Sequence, residues 1–176
     1  MLIGREITVI GAGIGGLAAA TALAHRGASV RVLERAPAIT EVGAGLQISP
    51  NGVAVLRGLG LEEAALAAGL RSRAVRLCEH RRGHLVVTLD LARDAAGQVF
   101  LLMHRADLIG LLERAARAAG VQIETGRAID TVQETGQGVA LGFADGTREA
   151  VAFAIGADGL HSRMRPMLNG EAAPFF

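Results

Sequence analysis

The chain has 176 residues, a formal net charge of +1 and a hydrophobic fraction of 51%. That length fits one domain with a genuine core, and the near-neutral charge argues against nucleic acid or another bulk electrostatic partner. All 18 cationic side chains are arginine, while Trp and Tyr are absent and only five Phe occur, so no aromatic platform for single-stranded nucleic acid is expected. The arginine run in residues 71–82 alternates with Ala74, Val75, Leu77 and Leu85, which reads as the solvated face of strands. Cys78 is alone, and His25, His80, His84, His104 and His161 show no ligand spacing, so neither a disulfide framework nor a metal site is expected. Residues 1–6 run into a strand without the apolar region of a signal peptide. The longest strongly apolar stretch, residues 16–24, is too short to span a bilayer. These features predict a cytoplasmic protein without a membrane partner.

Residues 6–10 predict a short apolar strand, residues 14–26 a helix stopped by Gly27, and residues 29–33 a Val-rich strand ending at Glu34. Strand, helix and strand in about thirty residues form one βαβ unit. Residues 36–49 read as a long glycine-bearing loop, and loops of that length inside a domain are usually functional. Ser49-Pro50 then predicts an N-cap and first helical position for a helix to Arg57, with another helical piece over residues 62–68. Residues 73–91 turn to a β pattern with a turn at Arg82-Gly83. Residues 105–119 predict an amphipathic helix with Leu108, Leu112, Ala115 and Ala119 on one face and Gly120 as its stop. Strands are predicted over 121–124, 128–134 and 139–143, and Asp145-Gly146 signals a hairpin into a strand from Thr147. Residues 153–159 read as a buried strand running into a loop, followed by a short helix near 162–168.

Gly11-Ala-Gly13-Ile-Gly15-Gly16 satisfies G-x-G-x-x-G and stands where that motif has meaning, after an apolar strand and at the opening of a helix. Gly11 permits the tight turn, Gly13 admits a pyrophosphate to the backbone, and Gly16 lets the helix pack close to the sheet. Gly16, Ala20 and Ala24 continue a ridge of small residues along the helix. The helix start presents N–H groups and its dipole to a diphosphate. Glu34, roughly 20 residues on, is placed to accept the ribose hydroxyls and to repel a 2′-phosphate. This unit binds the ADP half of a dinucleotide, which both NAD and FAD contain.

Four segments in order resemble the FAD-dependent aromatic-ring hydroxylases of the salicylate and hydroxybenzoate hydroxylase type. They are the Gly11–Gly16 loop with Glu34-Arg35, Glu41-Val-Gly43-Ala44-Gly45-Leu-Gln47-Ile-Ser-Pro50-Asn51, His104-Arg105-Ala-Asp107-Leu108, and Gly156-Ala-Asp158-Gly159-Leu-His-Ser162-Arg-Met-Arg165. The last fits a D-G-x-x-S-x-x-R pattern. The resemblance implies an α/β, Rossmann-type FAD-binding domain with a β excursion. It implies that FAD lies against Ala44, Gly45 and Gln47, that Arg105 contacts its ribityl-phosphate region, and that Asp158-Gly159 supports its ribose and pyrophosphate. It further implies NAD(P)H as reductant and hydroxylation of a small aromatic substrate by O2. Read from the residues alone, Gly43 and Gly45 serve equally as plain loop flexibility. Arg105 could pair with Asp107 or face solvent, and Asp158-Gly159 could be a simple turn.

The resemblance also marks departures. Family members are about twice as long, and a later Gly-Asp motif is absent from this sequence. The expectation is that residues 1–176 form an incomplete N-terminal FAD-binding domain, truncated before the substrate domain is complete. About residues 71–100 would be a β excursion joining the substrate-domain sheet. Catalytic residues are then unknown and expected beyond residue 176, since the Gln47 amide is a poor proton-transfer group. The other readings are a non-catalytic nucleotide-binding fragment and an NAD-dependent dehydrogenase. The dehydrogenase gives no role to Asp158-Gly159 or to the loop at residues 43–47.

Overall fold

The fold is that of a computed structural model, and residues 2–40, 44–94 and 97–170 are described. In chain order the elements are β1 (Glu6–Ile10), α1 (Ile14–Ala24), β2 (Ser29–Leu33), β3 (Gly45–Ile48), α2 (Pro50–Gly58), α3 (Glu62–Ala68), β4 (Leu70–Arg71), β5 (Ala74–Cys78) and β6 (Leu85–Asp90). They continue with α4 (Leu91–Asp94), β7 (Leu101–His104), α5 (Arg105–Ala118), β8 (Gln122–Glu124), β9 (Ile129–Thr135), β10 (Gly138–Phe143), β11 (Arg148–Val151), β12 (Ala154–Gly156) and α6 (Met164–Asn169). The chain divides into two compact units, one of residues 1–41 with 112–176 and one of residues 42–111.

The first unit is built on a parallel sheet of order β12-β1-β2-β8. Its strands are short and rich in branched apolar residues, and Val9, Val30, Val32 and Leu33 are buried, as expected where both faces of a parallel strand are covered. The α1 helix lies on β1 and β2, with Gly16, Leu17, Ala20 and Thr21 buried. The Thr21 hydroxyl donates to the Leu17 carbonyl at 2.8 Å, which satisfies the one polar group on that face. An antiparallel sheet of order β11-β10-β9 belongs to the same unit. Ile10 and Leu33 from the parallel sheet share one cluster with Leu141, Phe143 and Met164. At the rim, Arg31 of β2 pairs with Glu149 of β11 at 2.7 Å and with Glu124 of β8 at 3.4 Å. Burial opposes the charge on Arg31, but the two carboxylates outweigh it and raise the guanidinium pKa above its ordinary value.

The second unit holds an antiparallel sheet of order β3-β7-β4 and the separate β5–β6 hairpin. Along β7 the burial alternates, with Leu101 and Met103 buried and Leu102 and His104 exposed, the period of a one-sided strand. Ile48, Val53, Leu56 and Ala65 are also buried, and α2 contacts both β3 and α3. Arg57 grips Glu62 through two hydrogen bonds of 2.6 and 2.7 Å, which ties α2 to the start of α3.

Several local expectations are revised. The second half of the presumed loop at residues 36–49 is strand β3, held by β7 in the register Gly45↔His104 and Gln47↔Leu102. Ser49 occupies the N-cap of α2, yet its side chain makes no cap hydrogen bond. The buried face of α5 is carried by Leu108, Ile109, Leu111, Leu112 and Ala116, whereas Ala115 and Ala119 are only half-buried. The strand at the Phe153 segment, expected to be buried, is an edge strand, with Phe153 50% and Ile155 36% exposed.

Candidate functional site

In the first unit the chain leaves β1 for α1 and β2 on one side, while β12 pairs with β1 on the other. The strand order therefore reverses at β1, and a ligand crevice in an open parallel sheet forms at the carboxyl ends beside such a point. The glycine loop stands there. Gly11 donates its N–H to the Leu33 carbonyl at 2.8 Å, and Ala157 donates to the Ile10 carbonyl at 2.8 Å, so the loop is stitched to both neighbouring strands.

Each glycine of the motif has its own reason. Gly11 has φ +105°, and a Cβ on it would lie 2.5 Å from the Ala157 carbonyl oxygen. A Cβ on Gly16 would collide with the Gly11 carbonyl oxygen. Those two positions are closed by the fold itself. At Gly13 and Gly15, by contrast, a Cβ would meet nothing within 4 Å, so the space above them is open. Gly13 is the N-cap of α1 and supplies no side-chain cap, and no acid sits in the first turn. The N–H groups of a first helical turn have no partner inside the helix. An uncapped turn beneath open space fits an anionic diphosphate.

Glu34 follows β2 and reaches back to the loop. Its Oε2 accepts the Ala12 N–H at 2.7 Å and its Oε1 accepts the Ala36 N–H at 2.9 Å. Arg35 is exposed. Asp158 follows β12, and its Oδ2 accepts the Arg163 N–H at 2.6 Å. The Ser162 hydroxyl oxygen accepts the Arg165 N–H at 2.9 Å. Asp158 and Ser162 thus cap the start of α6, and Gly159, at φ +77°, makes the turn between them. Within this unit the structure brings together Gly11, Gly13, Gly15, Gly16, Glu34 and Asp158.

The remaining candidates lie in the second unit. Gly45 and Gln47 sit on β3, the Ala44 carbonyl accepts the Arg105 N–H at 3.0 Å, and Arg105 opens α5 beside β7. Glu41, Val42 and Gly43 lie outside the described residues. Gly45, Gln47, Leu70, Met103, His104 and Asp107 line a cavity of about 690 Å³. Sequence reasoning passed over the amides of Ala12 and Ala36, the closeness of Ala157 to Gly11 and the position of His104. The small side chain at Ala157, between two glycine contacts, was the one residue-level signal available.

Residues 5–173 match the family described as FAD binding domain. Over 163 residues the chain is 43% identical to the 3-amino-4-hydroxybenzoate 2-monooxygenase of Streptomyces cremeus, covering 91% of this chain and 41% of that protein. It is 35% identical over 172 residues to the 6-hydroxynicotinate 3-monooxygenase of Pseudomonas fluorescens, covering 96% of this chain and 44% of that one. Among solved structures, a variant of Klebsiella pneumoniae HpxO complexed with FAD superposes with a TM-score of 0.81 at 32% identity, covering 96% of this chain and 43% of that chain. The chain spans less than half the length of the curated relatives it matches.

Proposed function

Because the chain belongs to the FAD binding domain family, we propose that it forms the FAD-binding part of an NAD(P)H-dependent flavin monooxygenase that hydroxylates a small aromatic or related substrate. The observation that carries this reading is the open, uncapped glycine loop beside Glu34 at the reversal point of the parallel sheet. Gly11, Gly13, Gly15 and Gly16 would receive the diphosphate, and Glu34 the ribose. Arg35, Asp158 and Gly159 would flank that end, and Ala44, Gly45, Gln47 and Arg105 would serve the ribityl and ring end. When bound, FAD supplies electron transfer between a nicotinamide donor and O2. The chain's own contribution is to bind and orient. This chain alone would be catalytically inactive.

The named relatives act on a hydroxybenzoate and a hydroxynicotinate, which supports a small aromatic ring as the substrate class. The β5–β6 hairpin fits the same reading. Val75 faces Leu89 and Leu77 faces Val87 across the pair, so four apolar side chains share one face, and all four are exposed. A lone two-stranded hairpin is marginal in water. Its apolar face would be covered by a substrate-domain sheet of a longer polypeptide. No described helix is long and apolar enough to cross a membrane.

The test is to titrate the purified chain with FAD, following the flavin spectrum, and then to follow NAD(P)H oxidation with and without an aromatic substrate. Weak flavin uptake that ADP competes away, without turnover, is the expected result. Tight NAD binding with no flavin affinity would overturn the proposal.

A further inference from the structure

The Glu34 carboxylate already has two partners within the protein. One oxygen takes the Ala12 N–H from the glycine loop, the other takes the Ala36 N–H from the segment after β2. The backbone of Glu34 is fixed as well, its N–H donating to the Glu124 carbonyl and its carbonyl accepting the Arg127 N–H, each at 2.8 Å. Ala12 is only 3% exposed, so its amide depends on this carboxylate rather than on water. We propose that Glu34 is a positioning residue that latches the glycine loop to the end of β2 before any nucleotide arrives, in addition to accepting the ribose. The second half of that statement rests on the ADP-binding reading above, whereas the latch does not.

The chemistry permits both tasks at once. Each carboxylate oxygen has more than one acceptor direction, so a ribose hydroxyl can be accepted while the amides stay bound. Glutamine cannot replace it. Its carbonyl oxygen can serve one N–H, but its NH2 group then faces the other N–H, donor against donor. Whichever way the amide turns, one of the two contacts is lost, and with it one end of the tie between the glycine loop and the segment after β2. Changing Glu34 therefore harms diphosphate binding through the loop, independently of the ribose.

Two measurements on the chain with Glu34→Gln test this. In the absence of ligand, hydrogen exchange at one or both of the Ala12 and Ala36 amides should accelerate by about tenfold or more, while the amides inside β1 and β2 stay unchanged. By calorimetry, the variant should bind ADP and 2′,3′-dideoxy-ADP more weakly than the wild type, by a similar factor of about tenfold. A residue that only recognises ribose would show no penalty with the dideoxy ligand, and that result would overturn the latch. If the wild type binds neither ligand, the nucleotide reading fails, and unchanged exchange at Ala12 and Ala36 would overturn the latch on its own.

Discussion

Gly11→Ala and Gly13→Ala change the same loop by one methyl group, and the structure separates their effects. Alanine at Gly11 would have to hold φ +105°, which costs about 1–3 kcal/mol for a residue with a side chain. Its methyl would also sit 2.5 Å from the Ala157 carbonyl oxygen and 2.8 Å from its carbon, and overpacking of that kind costs about 1–3 kcal/mol. Together that is about 2–6 kcal/mol out of a folding stability on the order of 5–15 kcal/mol. For a chain of this length the melting temperature falls by roughly 2–4 °C per kcal/mol, so a drop on the order of 10 °C is expected. Gly13 has φ −73° and ψ −177°, an extended conformation open to any residue, and its Cβ meets nothing. Alanine there should change stability by about 1 kcal/mol or less, yet its methyl occupies the space a diphosphate needs and should weaken ADP by at least about tenfold. Thermal unfolding by circular dichroism and ADP calorimetry on both variants decide the matter. Unaltered melting of Gly11→Ala would refute the reasoning, as would unaltered ADP affinity of Gly13→Ala.

Three further outcomes are expected. Asp158→Ala removes the acceptor for the Arg163 and Met164 amides and should destabilise the ligand-free chain by about 1–2 kcal/mol, measured by urea unfolding; equal stability would mean that α6 does not need this cap. Arg31→Ala removes the 2.7 Å partner of Glu149 and one partner of Glu124 at a partly buried rim, leaving both with Arg127 at 3.5 and 3.7 Å, and should cost on the order of 1 kcal/mol. A double-mutant cycle with Glu149→Ala should then show a coupling that salt reduces only weakly. Hydrogen bonds from the Thr147 hydroxyl and amide hold the Asp145 carboxyl below its usual range. A depressed carboxyl stabilises the fold fully above its unfolded pKa of about 4, and that stability is lost as pH falls through the lower folded value. The melting-temperature gap between wild type and Asp145→Ala should therefore be widest above pH about 4 and close on further acidification; a gap that grows in acid would contradict the assignment.

The parts of this fold that were legible in the sequence are those where a local rule leaves little choice. The βαβ unit announced itself through strand-length apolar runs, a glycine loop of fixed spacing and a glycine stop, and the observed strands match it. Residues 62–68 were equally plain, since Glu62 and Glu63 open an alanine-rich helix. The strand β3 was not, because Gly45-Leu-Gln-Ile carries only a short alternation and is stabilised by β7, far away in sequence. The Phe153 segment shows the opposite failure. An apolar run reads as buried on both sides, but whether a strand is central or terminal is a property of the assembled sheet. At the candidate site, the glycines and Glu34 could be named in advance because their side chains, or lack of them, carry the chemistry. The partners of Glu34 could not, because Ala12 and Ala36 act through backbone N–H groups that every non-proline residue possesses.

The placement of β12 has a kinetic consequence. One wall of the glycine-loop crevice is a three-residue strand bonded to the sheet through β1 alone. Its outer rim is left to solvent, with Ile155 36% exposed. Local openings take far less free energy at such margins than global unfolding does, so β12, like the opposite edge strand β8, can detach while the rest of the sheet holds. Each detachment would also release Ala157 from Ile10 and widen the crevice floor at Gly11. The residence time of a bound nucleotide would then follow the fraying rate of this one rung, and a chain that is stable overall could still let its ligand go quickly.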